Sequence, residues 1–164
     1  MRTGSGYHAS KLLTGHFWVN AQPRTVVAGT YRHNGTVKQI TKPKWTLTTC
    51  VTRRFAFEAS HKLPWHPGKC ANLHGHSYVL DVTVENDLTP DGIVIDFADL
   101  KAAVTKHVLD DYDHRHLNDI LPNPTAELIA ADITRRLLDG GIPVTKITVA
   151  ETASCSATVR VTRH

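Results

Sequence analysis

Between Ser77 and Glu85 apolar and polar positions alternate, with Tyr78, Leu80, Val82 and Val84 on one side. A period of two belongs to a strand with one buried face, and Val51 to Ala59 reads as the strand before it. The connection between the two carries Pro64, Pro67 and Gly68, residues that interrupt regular structure. Beyond Asp96 the period becomes helical. Leu100, Val104 and Val108 recur behind a capping side chain, which predicts a helix ending near Asp110. A second helix is expected over residues 124–139, capped by Asn123 and opened by Pro124. Leu128, Ile129, Ile133 and Leu137 form its apolar face, and Gly140 and Gly141 stop it. Lys146 to Glu151 and Thr158 to Thr162 supply two more strands. The order strand, strand, helix, helix, strand, strand predicts an α+β layer structure, with helices on one face of an antiparallel sheet.

Residues 1–48 show neither period. This stretch is rich in Thr, Gly and basic residues and reads as a poorly ordered N-terminal extension to a single domain over 49–164. A real arm, a targeting-like segment and upstream sequence included by a wrong start all fit it.

Charge sharpens the division. Residues 1–49 hold seven Lys and Arg and no acid, so 12 of the 19 basic residues and all 15 acids lie beyond, a net of −3. The formal net charge of +4 therefore belongs to the extension, and the domain's mild acidity argues against a nucleic-acid partner. No apolar run approaches the ~20 residues of a membrane-spanning helix, and no apolar h-region follows Met1 and Arg2. Cys50, Cys70 and Cys155 are too few and too irregularly spaced for a disulfide framework, so a reducing cytoplasm is expected.

Seven of the 11 histidines fall between His61 and His116. The densest feature is His74-Gly75-His76. Two residues apart on a strand, both imidazoles project from one face and can reach one ion, and His61 at the end of the neighbouring strand can supply a third nitrogen. Three His ligands leave one tetrahedral position open, as in a catalytic zinc site. Surface histidines, or histidines bonded to backbone carbonyls, are the plainer alternative. Cys70 lies between Lys69 and His74, where a cation or metal favours the reactive thiolate. It could equally be a small buried hydrophobe, or a fourth ligand that closes the site. In the polar run from Tyr112 to Asn118, Asp113 beside His114 can hold a proton for acid–base work, or simply cap and solvate a turn. Glu151, at a strand end, could accept paired hydrogen bonds from an amidine-like ring edge.

Phe57-Glu58-Ala59-Ser60-His61-Lys62-Leu63, Cys70-Ala71-Asn72-Leu73-His74-Gly75-His76-Ser77-Tyr78 and Gly92-Ile93-Val94-Ile95-Asp96-Phe97 together resemble the family of 6-pyruvoyl- and 6-carboxytetrahydropterin synthases. Asp113-His114-Arg115-His116-Leu117-Asn118, Asn123-Pro124-Thr125-Ala126-Glu127 and Glu151-Thr152 follow in the family's order, so the resemblance spans about residues 52–160. Three residues separate Cys70 from His74, the spacing of the bacterial carboxy enzymes rather than the pyruvoyl ones. Tyr112, where the family often has leucine, and Thr152-Ala153-Ser154-Cys155 depart from the pattern.

The resemblance implies a four-stranded antiparallel sheet with two helices between its second and third strands, assembled into a homohexamer built from two trimeric barrels. It implies Zn2+ on His61, His74 and His76, with Cys70 as catalytic thiol and Asp113 and His114 as proton-transfer partners, reaching a neighbour's zinc. Glu151 and Thr125 would bind substrate. The implied substrate is 7,8-dihydroneopterin triphosphate, turned into 6-carboxytetrahydropterin, a precursor of 7-deazapurines such as queuosine. Lys62, Lys69 and Arg115 are candidates for the triphosphate. Two other readings stay open: a 6-pyruvoyl-tetrahydropterin synthase, and a zinc-stabilised module whose basic extension contacts nucleic acid.

Overall fold

The computed structural model describes residues 29–33, 36–40 and 47–162. Strands β1 (Gly29–His33) and β2 (Thr36–Ile40) pair antiparallel with each other; the rest of the expected extension, apart from 47 and 48, lies outside the described residues. The domain then follows the expected order with one addition. Strand β3 (Cys50–His61) and strand β4 (His74–Glu85) form a long antiparallel pair that runs from Cys50 opposite Glu85 to His61 opposite His74.

Their alternation decides which side faces the helices. Phe55, Phe57, Ala59 and His61 on β3 and Tyr78, Leu80, Val82 and Val84 on β4 are buried, and the more exposed Arg54, Ala56, Glu58 and Ser60 alternate with them on the other side of β3. Helix α1 (Phe97–Val104) starts where the Asp96 carboxylate accepts from the Ala98 N–H at 2.6 Å. It does not stop at Asp110 as a plain α-helix. Residues Thr105–Leu109 widen into a π-turn before a last turn, α2 (Asp110–Tyr112), which keeps Leu100, Val104, Val108 and Tyr112 all buried.

Helix α3 (Ala126–Asp139) begins two residues later than expected, because Thr125 rather than Asn123 is its cap: the Thr125 hydroxyl accepts from Leu128 N at 3.4 Å. Its end matches the sequence signal. Gly141, at φ 80°, takes the left-handed conformation, and the N–H groups of Gly141 and Ile142 bond to the carbonyls of Leu138 and Leu137. Strands β6 (Val144–Thr152) and β7 (Cys155–Arg160) complete the sheet.

The sheet has five strands rather than four: a short strand β5 (Arg115–His116) lies outside β3, giving the order β5-β3-β4-β6-β7. The extra strand runs parallel to β3, with Arg115 beside Ala59 and His116 beside Ser60. Polar groups of the turn after α2 put it there: His114 N–H donates to the Glu58 carbonyl at 2.6 Å, and the Asp113 carboxylate accepts from Glu58 N–H at 2.9 Å. The edge of β3 is thus partly satisfied by a segment whose polarity alone suggested a loop. Among the described residues no helix is long and apolar enough to cross a membrane.

Candidate metal and active site

The antiparallel register of β3 and β4 sets His61 directly opposite His74, and the two-residue period brings His76 to the same face. The ligating atoms of His61, His74 and His76 all lie within 4.8 Å of one another. Their ring centroids are 4.4 to 5.1 Å apart. Gly75, between them, permits the close approach. A Cβ there would stand 3.1 Å from the Ala59 carbonyl oxygen, tighter than strands normally pack.

Hydrogen bonds on the far side of two rings aim them inward. His61 Nδ1 donates to the Pro124 carbonyl and His74 Nδ1 to the Asn72 carbonyl, each at 2.8 Å. A backbone carbonyl fixes the Nδ1–H tautomer and leaves the Nε2 lone pair free, as metal-bound histidines require. His61 Nε2 and His76 Nε2 are both buried and have no hydrogen-bond partner. Unpartnered buried acceptors are costly, and a cation satisfies them. Burial, reinforced by the neighbouring His61 and His74, holds His76 below the ordinary imidazole pKa despite an upward pull from Glu151, so the neutral, ligating form is favoured. The donor set therefore fits a divalent metal ion bound through imidazole nitrogens.

Glu151 is brought to the trio as well. A register shift between Ala150 and Thr152 leaves it at a β-bulge, and its carboxylate lies 3.9 Å from His61 Nε2. Cys70 sits half-buried on a single 3-10 turn, Lys69–Ala71, in the loop that closes when Leu63 N–H donates to the Cys70 carbonyl at 2.8 Å. Its sulfur is not part of the convergent group, which speaks against a closed four-ligand site. Thr125 spends its hydroxyl on the α3 cap.

Asp113 and His114 form a pair of their own. The His114 Nδ1 donates to the Asp113 carboxylate at 2.9 Å, with the side chains 79% and 42% exposed. The Glu58 N–H bond, with help from His114, holds the Asp113 carboxyl below the usual carboxylate range against the opposing effect of burial. His114 pays a strained φ of 57° to sit there. His114 borders a groove of about 480 Å³ that is also lined by Glu58, Ser60, His76, Ser77 and His116. On β3 and β4, Glu58, Ser60, Gly75 and Ser77 alternate with the three histidines, and Asp113 and His114 are not among the convergent atoms.

Three contributors escaped the sequence reading. The Pro124 carbonyl orients a ligand although Pro124 signalled only a helix start. Asn118 brackets the residue after His61, accepting from Lys62 N–H and donating to the Lys62 carbonyl, both at 2.9 Å. Tyr78, marked only as a strand residue, is fully buried beside His61 and His76.

The chain is thus an α+β domain with three convergent histidines, able to hold a metal ion, at the end of its longest strand pair. Residues 50–162 match the family described as 6-pyruvoyl tetrahydropterin synthase, and the chain belongs to that family. The 6-carboxy-5,6,7,8-tetrahydropterin synthase of Synechocystis sp. is 41% identical over 115 residues, covering 65% of this chain and 89% of that protein. The Haemophilus influenzae protein of the same name is 45% identical over 73 residues, 42% of this chain and 52% of its own length. The solved structure of Caenorhabditis elegans 6-pyruvoyl tetrahydropterin synthase superposes with a TM-score of 0.63 at 27% identity, over 71% of this chain and 97% of that one.

Proposed function

We propose that this pterin-synthase family member is a zinc-dependent lyase that converts 7,8-dihydroneopterin triphosphate and water to 6-carboxy-5,6,7,8-tetrahydropterin, releasing triphosphate and acetaldehyde. The observation that carries the reading is the convergence of His61, His74 and His76 with two Nε2 atoms buried and unpartnered. Zn2+ held there supplies a Lewis acid for a substrate side-chain hydroxyl, making its proton easier to remove.

The chain's own residues do the rest. Glu151, at its bulge, accepts paired hydrogen bonds from the amidine-like edge of the pterin and so fixes which side-chain carbon faces the metal. Cys70, on its short turn, takes and returns protons at the side chain. The Asp113–His114 pair is the second proton carrier, its imidazole oriented by the carboxylate. The pair is not part of the convergent group of its own protomer, so we assign it to a neighbouring subunit, supplied by a homohexamer of stacked trimers joined through sheet edges. The product feeds 7-deazapurine formation. Three residues between Cys70 and His74, and the names of the Synechocystis and Haemophilus relatives, favour this chemistry over pyruvoyl formation.

Incubating zinc-loaded protein with dihydroneopterin triphosphate, followed by mass analysis, tests it. The expected products are 6-carboxytetrahydropterin and acetaldehyde; a pyruvoyl product without acetaldehyde would assign the sister activity. In the same assay Cys70→Ala is expected to lose nearly all turnover, and full activity in that variant removes the thiol from the mechanism.

A further inference from the structure

Among the described residues three buried side-chain nitrogen or oxygen atoms have no hydrogen-bond partner: His61 Nε2, His76 Nε2 and Tyr78 Oη. A metal accounts for the two imidazole nitrogens. The phenol oxygen is unaccounted for by any role assigned so far. Tyr78 has no exposed surface, and a hydroxyl buried without a partner destabilises the fold. Phenylalanine would fill nearly the same space without that cost, and the ring already packs as one, stacked on Phe57 at 4.8 Å and 8°. The other fully buried tyrosine, Tyr112, donates its hydroxyl to Asp132 at 2.6 Å. The fold therefore satisfies a buried phenol where it serves structure alone.

Position separates the two. Tyr78 continues the two-residue series of His74 and His76 along β4, and its ring lies 5.4 Å from that of His76 and 6.1 Å from that of His61. Glu151, the neighbour at the bulge, is 3.9 Å from the same His61. A neutral donor without a partner thus stands beside two imidazoles whose Nε2 atoms also lack one.

We propose that Tyr78 is a substrate-binding residue whose hydroxyl donates a hydrogen bond to an oxygen of the pterin held at the three-histidine site. The proposal rests on the pterin reading above. It predicts that the hydroxyl is a burden in the empty protein and an asset in the complex, a pattern that a purely structural tyrosine does not give.

Tyr78→Phe measures both halves, with neopterin as the probe and zinc-loaded protein in the titration. The zinc-free variant is expected to melt at or above the wild-type temperature, and its zinc affinity, read by chelator competition, to stay within about twofold. Its neopterin Kd is expected to rise about five- to tenfold, the loss of one neutral hydrogen bond. Equal neopterin affinity in the two proteins overturns the proposal. So does a lower melting temperature of the empty variant with unchanged affinity, which would mean that a buried water holds the hydroxyl. Failure of the wild type itself to bind neopterin would instead bring down the pterin reading, and this proposal with it.

Discussion

The Nδ1 of His61 donates to the carbonyl of Pro124 across 2.8 Å, so the turn that opens α3 also orients one of the three convergent imidazoles on β3. His61 is 1% exposed, and His74 is only half-buried. The two ligands should therefore respond differently to removal. His74→Ala is expected to abolish zinc binding while changing metal-free stability by less than about 1 kcal/mol. His61→Ala should abolish zinc binding and also cost about 2 kcal/mol or more, through the cavity left and the orphaned Pro124 carbonyl. Chelator competition and urea unfolding of the metal-free proteins separate the effects. Equal unfolding midpoints for the two variants would contradict the arrangement.

Gly75→Ala places a methyl 3.1 Å from the Ala59 carbonyl oxygen, a backbone atom that cannot swing aside. Relief comes only from moving β3 against β4 at the point where His61 faces His74. Zinc affinity is expected to fall about tenfold, in line with disturbed ligand support, and the loss should exceed the change in folding stability. Isothermal titration of zinc into the variant checks it.

The part of this architecture that lay open in the sequence is the part governed by period. Alternation on β4 and four-residue spacing from Leu100 to Val108 report burial directly, and burial placed the helices and the long strands. The convergence of His61, His74 and His76 was legible because a His74-x-His76 pair on a strand puts both rings on one face, and antiparallel pairing brings His61 opposite. What escaped depends on backbone atoms or on distance along the chain. The carbonyls of Pro124 and Asn72 leave no trace in residue identity. Strand β5 is two residues pinned by Glu58, 55 positions before Asp113, too short for any period to show. The π-turn at Thr105–Leu109 shifts register without disturbing the apolar spacing. Tyr78 and Tyr112 look alike in sequence; only the partners of their hydroxyls tell them apart.

Asp132 collects the Tyr112 hydroxyl and the guanidinium groups of Arg135 and Arg136, each at 2.6 Å. Burial raises its carboxyl pKa, but those three hydrogen bonds outweigh burial and hold it below the usual carboxylate range. A carboxyl whose folded pKa is depressed stabilises the fold above its unfolded value of about 3.9, and that contribution is lost as pH falls further through the folded pKa. Asp132→Asn is expected to cost about 1–3 kcal/mol at pH 7 and to narrow its gap from wild type below about pH 4. Urea denaturation at pH 7 and pH 3 provides the comparison. A gap that stays constant across this range would exclude the carboxylate as the stabilising form.

Asn118 offers a test of how the loop carrying Cys70 is tied to the metal strand. Its amide accepts from Lys62 N–H and donates to the Lys62 carbonyl, both at 2.9 Å, immediately after His61. Lys62 is exposed, so water can replace part of what Asn118→Ala removes, and the expected loss is about 1 kcal/mol, toward the low end for a hydrogen-bonded pair. Asn118→Asp keeps the acceptor but at neutral pH turns an oxygen toward the Lys62 carbonyl where the amide donated. It should therefore be no more stable than the alanine variant at pH 7. Below the carboxyl pKa of about 3.9 the acid regains an O–H that can donate to that carbonyl, and the aspartate variant should become the more stable of the two. Urea midpoints of both variants at pH 7 and pH 3 read the crossover. Parallel midpoints at both pH values would mean that the Lys62 backbone is held by something other than the Asn118 amide.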